Sequence, residues 1–136
     1  MKKIALITGA TSGIGEACAR RFADGGYDLI ITGRRAEKLA AIKEDIEAQG
    51  TKVKTLTFDV RDADAAEAAI NSLEPEWRNL DVLINNAGLA LGLDKEFEGD
   101  PVDWNTMIDT NIKGLLTMTR LIVPGMVKRN EGHVIN

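Results

Sequence analysis

The run Thr8-Gly9-Ala10-Thr11-Ser12-Gly13-Ile14-Gly15 has residue types and spacing suited to holding a phosphorylated ligand. One glycine permits a tight turn, a second lets the backbone approach a pyrophosphate, and a third lets a helix lie close to a strand. The N–H groups and partial positive charge of the helix start then receive the phosphates. The run sits between an apolar stretch, Ile4 to Ile7, and a segment of helical period from Ile14 to Ala23, so strand, loop and helix stand in the required order. The spacing of Gly9, Gly13 and Gly15 departs from the common G-x-G-x-x-G, and no Gly-Lys-Ser/Thr closes the loop as in a Walker site. On spacing alone, glycines that only form turns would look similar.

The pair Arg34-Arg35 bears on which dinucleotide would fit. About 20 residues beyond such a loop, NAD sites carry an acid for the ribose 2′-hydroxyl. Here no carboxylate stands in that place, and two guanidinium groups do. A charge-assisted hydrogen bond to a 2′-phosphate contributes roughly 1.5–3 kcal/mol, so one contact would favour NADP over NAD by about tenfold or more. Two arginines at a helix start also oppose the helix dipole, which argues for a ligand rather than a solvated pair. NADP is the expected cofactor, with NAD the less favoured one.

The elements that must position these residues follow from periodicity. Strands are expected at Ile4 to Ile7, Leu29 to Thr32, Val53 to Phe58, Val82 to Ile84 and His133 to Asn136. The third alternates apolar and polar residues and so belongs near a sheet edge. Helices are expected over Ile14 to Ala23, Arg35 to Ala48 and Ala63 to Leu73. A longer one is expected from about Trp104 to Val127, with Trp104, Met107, Ile108, Ile112, Leu115, Leu116 and Ile122 inward and Pro124 kinking it or ending it early. In the first helix Ile14, Ala17, Cys18 and Phe22 form the expected inner face. Alternating strands and helices imply right-handed crossovers and a parallel α/β sheet covered on both faces. Ligands of such sheets lie at the carboxyl ends of the strands. Asn111, in phase with Ile108, Ile112 and Leu115, is expected to be buried and hydrogen-bonded.

Composition narrows the function classes. The 136 residues allow one domain, and the net charge of −4 with a pI near 5.0 argues against nucleic acid as a partner. The single cysteine, Cys18, reads as core, and His133 has no nucleophile near it in sequence. No Cys/His grouping has metal-ligand spacing, so no metal site is expected. The first apolar run stops after four residues, too short for a signal peptide, and nothing approaches the ~20 apolar residues of a membrane span. A soluble protein of a reducing, cytoplasmic compartment is expected, with a small molecule as substrate and no membrane partner.

Thr8 to Gly15 resembles, residue for residue, the T-G-x-x-x-G-I-G cofactor signature of the short-chain dehydrogenases/reductases. Asn85-Asn86-Ala87-Gly88, after the fourth strand, is similar to the N-N-A-G element of that family, and Asp59-Val60 to the acidic residue that ends its third strand and contacts the adenine. Asn111 matches the asparagine of the family's Asn-Ser-Tyr-Lys tetrad. The resemblance covers the whole chain. It implies a Rossmann-type doubly wound parallel sheet with strand order 3-2-1-4-5, with residues 1–136 as an NAD(P)-binding domain that stops before the last strands. It implies a catalytic role for Asn111. It also implies cofactor contacts from Thr8, Gly9, Thr11, Ser12, Gly13, Ile14, Gly15, Arg34, Arg35, Asp59, Val60, Asn86, Ala87 and Gly88. Within the family, Asn86 to Gly92, Met107 to Asn111 and Pro124 to Val127 are most similar to NADP-dependent enzymes of 3-hydroxy acids such as serine. The long helix of the family packs against another subunit, so a homo-oligomer, dimer or tetramer, is implied for the full-length form.

The family's chemistry also uses a serine, a tyrosine as general acid/base and a lysine four residues after it. Tyr27 is the only tyrosine and has Ile31 four residues later; Ser12 and Ser72 do not match the serine. By itself this chain is therefore expected to be inactive. An oxidoreductase transferring hydride between NADP and a small hydroxy compound stands beside two other readings. One is a non-catalytic dinucleotide-binding or assembly module, and the other a flavodoxin-like mononucleotide binder.

Overall fold

The structure, a computed structural model, describes every residue except Met1 and Leu93, and Glu96 without its side chain. Five parallel strands lie in the order β3-β2-β1-β4-β5: β1 (Ile4–Ile7), β2 (Asp28–Gly33), β3 (Val53–Thr57), β4 (Val82–Ile84) and β5 (His133–Ile135). The order and the doubly wound architecture are those expected from the sequence, and β3 does lie at an edge. Residues alternate between the two faces along each strand. Leu6, Ile30 and Leu83 enter one core with Ala66, Met118, Ile122 and Met126. Ala5, Ile7, Leu29, Ile31 and Ile84 enter the other with Ala19, Leu39, Ile42 and Ile46. Burial on both faces is why β1, β2 and β4 read as continuous apolar runs.

Helices α1 (Gly13–Asp24) and α2 (Ala36–Glu47) cover the second face, and α3 (Ala63–Asn71) with the long C-terminal helix covers the first. Asp62 caps α3 by accepting from the Ala65 N–H at 3.0 Å, as an aspartate before a helix start commonly does. The long helix has three parts: α4 (Pro101–Ile108), a wide π-helical segment (Asp109–Gly114) and α5 (Leu115–Arg129). It starts three residues before the expected Trp104. Asp100 caps it by accepting from Val102, and Pro101 sits at the first turn, where its missing N–H costs nothing.

Three expectations about helices need correction. Pro124 neither ends nor shortens the helix, which continues to Arg129 and closes on Asn130. Pro124 lies on the exposed side, where water can take the carbonyl it leaves without a donor, while Ile122 and Met126 hold the buried side. Second, the expected inner face is largely outside: Trp104, Ile108, Ile112 and Leu116 are exposed, and Thr110, Gly114, Met118, Ile122 and Met126 are buried. The wide turn shifts the phase, so a single 3.6-residue period does not run through this helix. Gly114 reveals the cause, since a Cβ there would lie 2.8 Å from Val60 Cγ2. Third, Ile14 is 75% exposed, and α1 packs through Gly15, Ala19 and Ala23, with Cys18 and Phe22 half-buried.

Candidate functional site

The chain direction changes hands between β1 and β4, so the loops that leave these neighbours part in opposite directions and open a crevice at their carboxyl ends. The glycine loop leaves β1, and Asn85 to Gly88 leave β4. They are laced together. The buried Thr8 hydroxyl accepts from the N–H groups of Asn86 (3.0 Å) and Ala87 (2.9 Å), and the Asn86 amide donates to the carbonyls of Thr8 (3.2 Å) and Gly9 (3.1 Å). Asn85 ties the same loop outward, donating to Thr119 Oγ1 and Asn136 Oδ1.

Gly9 and Gly13 have φ of +63° and +56°, a region costly for residues with a Cβ. At Gly9 a Cβ would also lie 2.8 Å from Ala87 Cα, whereas at Gly13 it would meet nothing within 4 Å. The space beside Gly13 is open. Gly15 is the packing glycine: a Cβ there would collide with the Gly9 carbonyl oxygen and the Asn86 amide nitrogen. Ser12 precedes α1 in extended backbone and makes no side-chain cap, so it leaves the first N–H groups of the helix without a side-chain acceptor.

Around this loop lies a cleft of about 420 Å³. Of the residues expected from the sequence, Gly9, Thr11, Ser12, Ile14, Arg34, Arg35, Asp59, Val60, Asn86, Ala87 and Gly88 line it. Thr8 and Gly15 lie beneath it as supports, and Gly13, between the lining residues Ser12 and Ile14, does not itself line it. Sequence reasoning missed Thr32, Gly33, Phe58, Arg61, Leu89 and Thr110, which also line it. Gly33, directly before the arginines at the end of β2, was the one visible signal among them.

Arg34 and Arg35 are exposed, and neither makes an ion pair among the described residues. Arg35 Nη2 instead reaches across to donate to Thr11 Oγ1 at 3.0 Å. Arg61 is differently placed. Its side chain grips both oxygens of Asp59, Nη2 to Oδ2 at 2.7 Å, and its N–H adds a bond to Oδ1 at 2.9 Å. These bonds, more than the counteracting burial, hold the Asp59 carboxyl below its ordinary value of 3.8, and Arg34 contributes a smaller attraction. A lowered folded pKa means stability that is present above about pH 3.8 and lost as pH falls through the folded value. Asp59→Asn is expected to lower the thermal midpoint at neutral pH by a few degrees at most, as for a pair largely in solvent, with the gap closing below pH 3.8. A gap unchanged down to strong acid in scanning calorimetry would refute this.

Asn111 does not line the cleft and is exposed in this chain, against expectation. Its hydrogen bonding is nonetheless satisfied: Oδ1 accepts from Leu89 N–H and Nδ2 donates to Leu89 carbonyl, both at 2.8 Å. The wide turn carries the side chain toward the loop after β4 rather than into the core. Asn111 therefore pins the far wall of the crevice.

The short chain dehydrogenase family model matches residues 3–136. This chain belongs to the short-chain dehydrogenase family. A member from Salmonella typhi, an NADP-dependent 3-hydroxy acid dehydrogenase, is 53% identical over 133 residues, 98% of this chain and 52% of the relative. The solved serine dehydrogenase of Escherichia coli is 50% identical with a TM-score of 0.92 over 98% of this chain and 60% of that one. A closed serine dehydrogenase complexed with NADP+ gives 0.93 at 50% identity, covering 98% and 52%. The short-chain dehydrogenase chain described here thus spans about half the length of the curated relatives it matches. Among its described residues no helix is long and apolar enough to cross a membrane.

Proposed function

We propose that this chain forms the cofactor-holding part of an NADP-dependent oxidoreductase, residues 1–136 being its incomplete NAD(P)-binding domain. The reaction is hydride transfer between the cofactor and a small hydroxy compound, of which a 3-hydroxy acid such as serine is the chosen candidate. One observation carries the cofactor choice: two arginines without an ion pair among the described residues stand at the end of a glycine-loop cleft where NAD sites place an acid. The relatives named above support it by what they use and act on.

The residues fit the group. Open space beside Gly13 and the uncapped start of α1 suit a pyrophosphate, and the two guanidinium groups suit a 2′-phosphate. Asp59, Val60 and Phe58 would flank the adenine, and Asn86 to Gly88 would lie along the nicotinamide side of the crevice. Bound there, NADP supplies the acceptor and donor of hydride. Asn111 holds the Leu89 backbone and so shapes the wall against which a substrate would rest. The exposed apolar residues along the long helix, Trp104, Ile108, Ile112 and Leu116, favour a homo-oligomer, for which a cytoplasmic location is proposed.

The test is spectrophotometric. NADP+ reduction should follow addition of serine or a 3-hydroxybutyrate to the full-length protein, and pure residues 1–136, which contain no Tyr-x-x-x-Lys, should show none. NADPH binding without turnover by the full-length protein on any hydroxy acid would instead favour a non-catalytic dinucleotide module.

A further inference from the structure

We infer that Thr11 is a positioning residue that sets the preference for a 2′-phosphorylated dinucleotide, by holding the Arg35 guanidinium at the cleft before the ligand arrives. This rests on the reading of Arg35 as a phosphate contact. The two branches of the Thr11 side chain have separate partners. Its methyl lies against the backbone of Gly33, where a Cβ would come within 2.6 Å of Thr11 Cγ2. Its hydroxyl oxygen accepts from Arg35 Nη2 at 3.0 Å. Because both branches leave the same carbon, fixing the methyl fixes the direction of the hydroxyl, and β-branched side chains have few alternatives at χ1. Gly33 is thus needed for packing: any side chain there would push the methyl away and turn the hydroxyl from Arg35.

The nature of the bond decides what Arg35 can then do. A neutral acceptor orients the guanidinium without compensating its charge, and its remaining N–H donors stay free. Arg61, in the same cleft, shows the alternative, since both oxygens of Asp59 already occupy it. An incoming phosphate would have to compete with that carboxylate, whereas at Arg35 it would only add to the hydroxyl. The Thr11 hydroxyl proton also remains available to the same anion. A long exposed arginine normally loses rotamer freedom when it meets a ligand, and pre-placement reduces that loss. An unphosphorylated dinucleotide gains nothing from the arrangement, so the effect should appear in selectivity.

The experiment measures the ratio of dissociation constants for NADH and NADPH by nicotinamide fluorescence at fixed salt, on the full chain and on Thr11→Val, Thr11→Ser and Arg35→Ala. Thr11→Val keeps the shape and removes the acceptor, and its ratio should fall at least about threefold. Thr11→Ser keeps the acceptor and should recover more than half of that loss. Arg35→Ala should lower the ratio at least as far as Thr11→Val. If Arg35→Ala lowers the ratio and Thr11→Val does not, Thr11 has no positioning role although the arginine reading stands. A loss in Thr11→Ser with none in Thr11→Val would reduce Thr11 to a packing methyl and overturn the inference. An unchanged ratio in Arg35→Ala would remove the reading beneath it, and the inference with it.

Discussion

Replacing both arginines, Arg34→Ala with Arg35→Ala, should abolish the preference for NADPH over NADH, lowering NADPH affinity by roughly a hundredfold. Each guanidinium can give a phosphate a charge-assisted hydrogen bond, and two such bonds at about 1.5–3 kcal/mol each would exceed that loss. Both side chains are exposed, however, so solvent screening brings the expected effect to the lower end. The geometry supports a full effect for another reason. Neither arginine is committed to a carboxylate among the described residues, so no internal ion pair must break when a phosphate binds. Screening also gives a second signature, in which the preference of the unmodified chain weakens as salt rises while the double variant shows no such dependence. Calorimetric titrations with both cofactors at matched salt would decide it. Equal affinities in the unmodified chain, or NADPH binding unchanged in the double variant, would sink the assignment.

How much of this site the sequence revealed depends on the range of the interactions involved. The glycine loop was legible because strand, turn and helix are consecutive, so Gly9, Gly13 and Gly15 carry their meaning within eight residues. The arginines were legible by their distance from that loop. Sheet order and the edge position of β3 followed from the apolar runs and from the family's topology. Thr32 and Phe58 were not legible, because they line the cleft only through the register of β2 beside β3. Arg61 reads as one more solvated charge until Asp59 is seen in its grip. The long helix failed differently. Its apolar residues do follow a helical period, yet docking of Gly114 on Val60 and the wide turn at Asp109–Gly114 bury a different stripe. The exposure of Asn111 is part of the same phase shift, and its bond to Leu89 joins positions 22 apart in sequence.

Gly15→Ala should be far more damaging than its helical setting suggests. In an ordinary helix interior the change from glycine to alanine stabilises by roughly 0.5–1 kcal/mol. Here the added methyl would collide with the Gly9 carbonyl oxygen on one side and the Asn86 amide on the other. Neither neighbour can retreat cheaply. Gly9 packs so closely on Ala87 that a Cβ on it would lie 2.8 Å from Ala87 Cα, and the Asn86 amide holds the carbonyls of Thr8 and Gly9. Relief requires moving α1 off β1 or breaking those two hydrogen bonds. Overpacking costs about 1–3 kcal/mol and each lost hydrogen bond about 1 more, so a net loss near 3 kcal/mol is expected. Because the same carbonyls and N–H groups shape the phosphate site, NADPH affinity should fall by tenfold or more even in the folded fraction. Gly13→Ala provides the contrast: its methyl would enter open space, and only the left-handed backbone penalises it, by about 1–2 kcal/mol. Urea unfolding and NADPH titration of both variants give the ranking. A Gly15→Ala chain as stable as the unmodified one, or less damaged than Gly13→Ala, would mean that helix and glycine loop are not packed as closely as the geometry requires.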